Sequence, residues 1–427
     1  MTTGMGAPRD PARERRPEFD VIRLVVVVGL VFFHTSLVFG SRDGFYVTNA
    51  GTGDAPFLVT GLAAALCVVW AMPLLFLVAG FGAWHSMRRR GPGGFAAERL
   101  RRLGVPFVVA MVTVAPIPQW LRLRAGPGHH ESYLAFLPRF FAVRPAPADF
   151  PFVLRGAVFE TGHLWFLVLL LCFSLLLAPP ARWLPRDLAR LLRAAPARLA
   201  GLPGGTLLFG IPVAAISVAA GLEETMGGWN RWAYAVFFLY GFLLVTHEAF
   251  PAAVRRDAVR AAVAGIVLLA ASLPGFAVLA EPGADVFTDM TPLAAGVRAL
   301  YGMAGWCLLL VILRLLDRAR PALGRALSQD RPLGRVYGYL APAVLPLYIL
   351  HQPIVVAVAF FVVGWDAPAL VEYLVIVALS LALTVAAYDV LVRRTRLTAF
   401  LFGLRRPGQG ARSAVEAGSS RSPQARR

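Results

Sequence analysis

The stretch "RLVVVVGLVFFH", from Arg23 to His34, decides the fold class of this chain. Ten apolar or glycine residues separate the arginine from the histidine, and the apolar character extends over roughly 19–40. A helix of about 20 such residues is long enough to cross a hydrocarbon core about 30 Å thick. No small-residue cleavage site follows, so we interpret the stretch as a first transmembrane helix that stays and not as a cleaved signal peptide.

The rest of the chain repeats this pattern. Of its 427 residues, 58% are hydrophobic and 15% are charged, against about 45–50% and about 25% in soluble domains. Apolar runs predict spans at roughly 19–40, 57–85, 103–121, 161–178, 204–221, 232–250, 258–280, 294–313, 340–363 and 370–392. Pro106, Pro116 and Pro118 should kink or shorten the third span. The predicted fold class is all-α: a polytopic membrane protein with about ten transmembrane helices.

The arginines are divided unequally between the two sets of loops. With the N-terminus in the cytoplasm, 34 of the 42 basic residues fall on the cytoplasmic side and 8 on the other, whereas the acidic residues divide evenly. This is the positive-inside pattern, and it places both termini in the cytoplasm of a protein of the cell (plasma or inner) membrane. The net charge of +18 then faces the anionic leaflet of the lipid bilayer, which argues against a nucleic-acid partner.

The chain divides into a cytoplasmic N-terminal tail (1–18), a transmembrane domain (19–404) and a basic C-terminal tail (405–427). The C-terminal tail is rich in Ser, Gly, Ala and Arg and should be disordered. The long segment 122–160 is predicted to lie outside, where it either covers the mouth of a cavity or simply connects two spans. The three cysteines stand alone in apolar runs, so the sequence signals no metal site and no disulfide framework.

Arg23 and His34 are the first candidate functional residues. Eleven residues, or about three turns, put them on nearly the same helix face and about 16 Å apart along the axis. Asp20 lies one turn before Arg23 and can partly neutralise it. Both residues also have structural alternatives. The side chain of Arg23 could extend to the lipid headgroups, and His34 could form a hydrogen bond between two helices. Ionisable groups in membrane helices usually mark a site, however, and here two share one face.

Two further motifs add polar residues to apolar spans. "GHLWFL" puts His163 and Trp165 at the start of the fourth span, and "LYILHQP" puts His351 and Gln352 inside the ninth. An interfacial aromatic belt explains Trp165 well and His163 less well, and it cannot explain the pair in the ninth span. We therefore predict catalytic roles for His34, Arg23, His163 and His351, and substrate-binding roles for Trp165, Gln352 and Asp20.

These motifs together resemble a known family. An arginine followed after ten residues by a histidine is similar to the signature of the acyltransferase-3 family of integral membrane acyltransferases. "EFDVIR", "FLVAGF", "RLRRLGVPF", "GHLWFL" and "LYILHQP" stand in the family's order, so that the resemblance covers about 18–404. The segments "RWAYAVFFLYGFLL" (231–244) and "AYDVLVRRTRLTAFLFG" (387–403) are most similar to the glucan biosynthesis protein C branch, which is associated with O-succinylation of periplasmic glucans.

The resemblance implies an O-acyltransferase that takes acyl-CoA or a similar donor inside the cell and acylates a hydroxyl beyond the outer face, on a carbohydrate or another cell-envelope acceptor. Acyl-CoA would be a co-substrate, and no permanently bound cofactor is expected. The residues suit this chemistry, since a neutral histidine can act as general base for a sugar hydroxyl and an arginine can orient a phosphate or a carbonyl. His163, His351 or Trp165 could stabilise the oxyanion. No Gly-x-Ser-x-Gly elbow supports an acyl-serine.

Two other functions remain open at this point. A multi-pass transporter or flippase could use the same intramembrane histidines as a proton relay. A purely structural membrane protein is the third alternative, and the shared face of Arg23 and His34 makes it the least favoured.

Overall fold

The structure is a computed structural model that describes residues 16–40, 45–49, 54–126, 128, 130–183, 185–245, 247–279, 281, 283–365 and 367–404. The predicted disordered tail, 405–427, and residues 1–15 of the predicted N-terminal tail lie outside the described residues. What is described is almost entirely helical, as predicted.

The helices follow one another along the chain, and the longest connection runs from α6 to α7. They are α1 (Pro17–Gly40), α2 (Asp54–Val68), α3 (Ala71–Arg99), α4 (Val105–Thr113), α5 (Pro116–Ala125), α6 (Tyr133–Phe140), α7 (Trp165–Trp183), α8 (Arg186–Gly201), α9 (Gly210–Ala220), α10 (Arg231–Leu243), α11 (Phe250–Val278), α12 (Pro292–Ala326), α13 (Pro332–Leu340), α14 (Val344–Val362), α15 (Ala369–Ala387) and α16 (Arg396–Leu401). A small antiparallel hairpin, β1 (Val143–Pro145) and β2 (Leu154–Gly156), pairs Arg144 with Arg155.

Seven helical segments of the described chain are long and apolar enough to cross a membrane. They are Pro17–Gly40, Val59–Ala125, Gly162–Trp183, Phe250–Val278, Pro292–Ala326, Pro332–Val362 and Ala369–Arg393. The second of these covers two of the ten predicted spans. Two more predicted spans correspond to short helices, at Leu207–Ala220 and at α10, which has 13 residues. The protein is therefore an all-α membrane protein with several spans, and the number ten stays a prediction.

Two predicted spans are interrupted in the structure. The third is split between α4 and α5 at Val114–Ala115, directly before Pro116, which agrees with the predicted kink, because proline removes a helical hydrogen bond and clashes with the preceding turn. The second is split at Val69–Trp70, between α2 and α3. The sequence analysis did not anticipate this second break, since the apolar run is continuous there.

The tightest helix crossing joins α3 to α10 through two glycines. A Cβ on Gly80 would lie 1.9 Å from the carbonyl oxygen of Phe238, and one on Gly241 would lie 1.8 Å from that of Leu77. Only glycine permits this backbone contact, and small residues at such crossings are the usual means of close helix packing in membranes. Gly80 belongs to the motif "FLVAGF", so part of that motif has a packing explanation.

Contacts between helix ends and between loops join distant parts of the chain at the two ends of the bundle. At one end, which we call the Arg23 end, Arg320 contacts Glu18 at 3.7 Å and Tyr337 donates to Asp20 at 3.2 Å. These contacts join segments that were all predicted to be cytoplasmic.

The opposite end of the bundle, which we call the Glu160 end, joins segments that were all predicted to be external. There Arg231 donates to the carbonyl oxygen of Asp149 at 2.9 Å, and Leu222 N donates to that of Phe287 at 2.9 Å. The 24 residues of α1 separate the two ends by about 36 Å at 1.5 Å per residue.

Candidate active site

Three histidines from separate parts of the sequence meet inside the bundle. Helices α1 and α14 place the rings of His34 and His351 with their centroids 5.2 Å apart. A short 3-10 turn before α7, Gly162–Leu164, brings the ring of His163 to 5.1 Å from that of His351. We call these residues the three-histidine cluster. The sequence predicted all three members, and the structure brings them together across up to 317 positions of chain.

Backbone and side-chain hydrogen bonds hold His163 in place. Its Nε2 donates to the carbonyl oxygen of Ile349 at 3.0 Å, because a carbonyl can only accept. Its backbone N–H donates to Oε1 of Gln352 at 3.0 Å, and its carbonyl oxygen accepts from the hydroxyl of Tyr348. Three residues within two adjacent turns of α14 therefore position one histidine of the 3-10 turn.

His351 is oriented by its own helix. Its Nδ1 donates to the carbonyl oxygen of Tyr348 at 2.6 Å, so in the neutral ring the lone pair is on Nε2. Among the described residues, neither this buried Nε2 nor the buried Nδ1 of His34 has a hydrogen-bond partner. Buried polar atoms are rarely left unpaired in native proteins, so these two nitrogens are candidates to bind a ligand.

The members of the cluster differ in access. His34 is 8% exposed, His163 6% and His351 0%, so all three are buried and His351 is the most enclosed. The ring of Phe45 stacks on that of His34 at 5.8 Å, on the side of the Glu160 end. The loop 45–49 thus forms the immediate cover of the cluster.

A glycine with a left-handed backbone allows the cover to approach closely. Gly162 has φ of +49°, and a Cβ there would lie 3.0 Å from the hydroxyl oxygen of Tyr46. Only glycine adopts this conformation without steric cost. The hydroxyl of Tyr46 donates to Oε1 of Glu160, so the motif "ETGH" carries a carboxylate that fixes the loop above the cluster.

Arg23 and Asp20 lie far from the cluster, at the other end of α1. The guanidinium of Arg23 donates to Oδ1 of Asp20 at 3.2 Å and to the carbonyl oxygen of Val78 at 3.1 Å. Oδ2 of Asp20 accepts from Tyr337. The spacing of about 16 Å along α1 follows from the helix itself, and the contact to α3 adds a fixed orientation that the sequence did not predict.

Trp165 is not part of the cluster in the described structure. Its ring packs against Tyr234 at 5.3 Å and against Phe76 at 6.3 Å, next to Gly227. The tryptophan therefore belongs to an aromatic group at the Glu160 end, and a role in substrate binding stays a prediction.

Four residues around the cluster were missed by the sequence analysis. They are Phe45, Tyr46, Glu160 and Tyr348. Tyr348 stands inside the quoted motif "LYILHQP", three residues before His351, so the i to i+3 spacing of a helix was an available signal. Phe45 and Tyr46 had no such signal, because their loop reaches the cluster only through tertiary folding. Within the described residues, no group of three His, Cys, Asp or Glu side chains has the arrangement of a metal site.

The fold and the site define a class: a polytopic helical membrane protein with a buried histidine site between two polar ends. Comparison with known families makes the assignment specific. The sequence model of the acyltransferase 3 family, described as an acyltransferase domain, matches residues 16–389. The match covers most of the chain and all members of the cluster, so the protein belongs to the acyltransferase 3 family and is a membrane acyltransferase. No curated protein and no solved structure matches the chain.

Proposed function

We propose that the protein is an O-acyltransferase that moves an acyl group from acyl-CoA at the Arg23 end to a hydroxyl group that enters from the Glu160 end. The observation that carries this proposal is the pair of ring nitrogens of His34 and His351 that have no partner among the described residues, in a buried cluster that lies between two polar ends. Family membership supports an acyl donor and an acceptor. The arginine distribution supports a cytoplasmic Arg23 end, in the cell membrane.

Arg23 is proposed to orient the donor. Its guanidinium is held by Asp20 and the carbonyl oxygen of Val78, which fixes the plane that it would present to a phosphate or a thioester carbonyl. An arginine presents several N–H donors in a fixed plane and so orients such groups better than a lysine. With the head of the donor there, its acyl end would extend about 16 Å along α1 to reach the cluster.

His34 is proposed as the general base. Its Nδ1 takes the proton from the acceptor hydroxyl while the hydroxyl oxygen attacks the thioester carbonyl. The carbon–oxygen bond forms, the carbon–sulfur bond breaks, and the proton passes from His34 to the leaving thiolate. His34 suits this role because no carbonyl of the described residues holds its Nδ1, whereas hydrogen bonds to carbonyls already hold His163 and His351.

Gln352 is proposed as the main oxyanion donor. Its Oε1 is engaged by the backbone of His163, so its amide N–H groups are directed elsewhere and can donate to a developing negative charge. Preorganised donors of this kind commonly contribute 10²–10³-fold to acyl transfer. His163 and His351 then hold the geometry, and the lone pair on Nε2 of His351 can share the proton that His34 accepts.

The acceptor is proposed to be a carbohydrate or another component of the cell envelope. The resemblance of 231–244 and 387–403 to the glucan biosynthesis protein C branch makes a glucan acceptor and a succinyl or acetyl donor the first combinations to examine.

The test is acyl transfer by the purified protein in detergent, where no gradient exists. Acyl-CoA and a glucan are supplied, and the products are scored by mass spectrometry. Transfer that depends on His34 supports the proposal. Acyl-CoA that stays intact with every acceptor, together with substrate movement by the same protein in liposomes, would favour the transporter alternative.

A further inference from the structure

A cavity of about 530 Å³ opens beside the loop 45–49 at the Glu160 end, and one of its lining residues, Phe45, stacks on His34 of the three-histidine cluster. We propose that this cavity is the acceptor subsite and that Arg122 selects an acceptor that carries a negative charge, a carboxylate or a phosphate, close to the hydroxyl that is acylated. The inference rests on the proposed function and adds the substrate class to it.

The walls of the cavity fit a sugar with an anionic group. Aromatic side chains, Phe45 and Phe360, offer flat apolar surfaces, and Thr48 offers a hydroxyl. The hydroxyl oxygen of Tyr46 can accept from a sugar hydroxyl because its own hydrogen is given to Glu160. The volume lies within the range of about 300–1,000 Å³ that is typical of small-molecule sites.

Arg122 is the one charged side chain among the nine described residues that line the cavity. Arg122 is an exposed side chain, and no hydrogen bond or ion pair engages it within the described part of the chain, whereas Arg139 and Arg155 are paired with Glu131 and Asp149. A cation that lines a concave surface and is paired with no described carboxylate attracts anions, since the low-dielectric walls concentrate its field.

One side chain, Phe45, connects the cavity to the proposed base. Phe45 lines the cavity and also stacks on the ring of His34. The loop that carries it is tied at its far end, where Nδ2 of Asn49 donates to the buried carboxylate of Glu372 at 2.6 Å and its backbone N–H donates to the carbonyl oxygen of Val38 at 2.8 Å. Phe45 therefore lies between the space beside Arg122 and the ring of His34, and it is the structural link between the cavity and the base.

The first experiment measures the charge preference of the cavity without any acyl transfer. Ala125, which lines the cavity one turn after Arg122 on α5, is changed to cysteine in full-length protein that also carries Cys67→Ser. The introduced cysteine is modified with an anionic methanethiosulfonate, which bears a sulfonate, or with a cationic one, which bears a trimethylammonium group. The two rates of modification are compared by peptide mass spectrometry. Ala148→Cys, in the exposed turn of the β1–β2 hairpin, gives the reference ratio of the two modification rates outside the cavity.

We expect the anionic reagent to be favoured at Ala125→Cys by about tenfold over the ratio at Ala148→Cys, as electrostatic focusing in clefts predicts. Arg122→Gln should abolish the preference, and Arg124→Gln, a matched change on the same helix at a residue that stacks on Trp120, should keep it. Glucuronate should slow the modification and glucose should not. Equal rates for both reagents, or a preference that survives Arg122→Gln, would overturn the inference.

The second experiment compares acyl transfer to a glucoside with transfer to the matching glucuronide and glucose phosphate. An anion subsite predicts a lower KM for the charged acceptors and a rise in that KM of at least tenfold in Arg122→Gln, with kcat nearly unchanged. Transfer that is equal for charged and neutral sugars, in wild type and variant alike, refutes the inference but leaves the acyltransferase proposal standing. If the wild type transfers no acyl group to any acceptor, while the modification of Ala125→Cys still favours the anionic reagent, the proposed function is refuted instead.

Discussion

His34 and His351 face each other across the contact between α1 and α14, with ring centroids 5.2 Å apart. Each presents a buried nitrogen that no described residue engages. Two helices that are distant in sequence thus supply one site, and the chemistry proposed for it depends on His34 as the more accessible of the two.

Replacement of His34 by glutamine should reduce the rate of acyl transfer by 10²–10⁴-fold, the usual effect of removing a general base. Glutamine can hydrogen-bond but cannot take up a proton, so the packing of α1 should persist. The measurement is initial-rate transfer by purified protein, beside a thermal unfolding curve. His247→Gln, a histidine on a turn outside the cluster, is the matched control and should be unaffected. A folded His34→Gln variant with wild-type rates would remove this residue from the mechanism.

Arg23→Lys should raise the KM for acyl-CoA by about tenfold, because the lysine keeps the charge and loses the planar set of donors. Asp20→Asn should raise it less, since Oδ1 of Asp20 only orients the guanidinium. Kinetics at varied donor and saturating acceptor check both changes. Arg314→Lys, an arginine on α12 that pairs with Asp317, serves as control. An unchanged KM for the donor in Arg23→Ala would mean that this arginine only anchors the helix at the headgroups.

Tyr348→Phe should lower the free energy of unfolding by about 1–3 kcal/mol, the usual cost of an unsatisfied buried acceptor. The variant loses the hydroxyl that donates to the carbonyl oxygen of His163, so kcat should fall with it. Tyr373→Phe is the matched control, because its hydroxyl makes only a long contact of 3.4 Å to the carbonyl oxygen of Phe32. Denaturant titration in detergent measures the first effect, and equal stability of the two variants would contradict the assignment.

Gly80→Ala should prevent normal assembly, since its Cβ would lie 1.9 Å from a backbone oxygen of α10. Gly29→Ala, also in the middle of a span and with nothing within 4 Å of the new Cβ, should be tolerated, and alanine's higher helix propensity even favours it. Size-exclusion profiles and thermal unfolding distinguish the two variants. A well-folded Gly80→Ala protein would show that α3 and α10 can separate at this crossing.

Cysteines introduced at Ala148 and Gly93 test the orientation. Both positions are exposed, and the positive-inside pattern predicts that a membrane-impermeant thiol reagent reaches Ala148→Cys in intact cells and Gly93→Cys only after lysis. Cys67→Ser removes the exposed native thiol from the background. The reverse labelling pattern would invert the proposed direction of acyl transfer.

The helical class of the protein followed from local properties of the sequence. Apolar runs near the thickness of a bilayer leave a helix as the only conformation that satisfies every backbone hydrogen bond in lipid, and Pro116 marked the break between α4 and α5. The 1.5 Å rise per residue also set the distance from Arg23 to His34. These are short-range effects, so a single sequence suffices to predict them.

Tertiary structure decided which residues share the site. The three histidines and Gln352 were recognised as unusual from their apolar surroundings, but their contact depends on how α1, α7 and α14 pack. Phe45, Tyr46 and the cavity with Arg122 were beyond prediction, because a loop of ordinary composition reaches His34 only after the helices on either side of it are in place. Packing over long sequence separation depends on many small contacts at once, which no local pattern encodes. For that reason the sequence determined the class and the candidate residues, and the fold determined their arrangement.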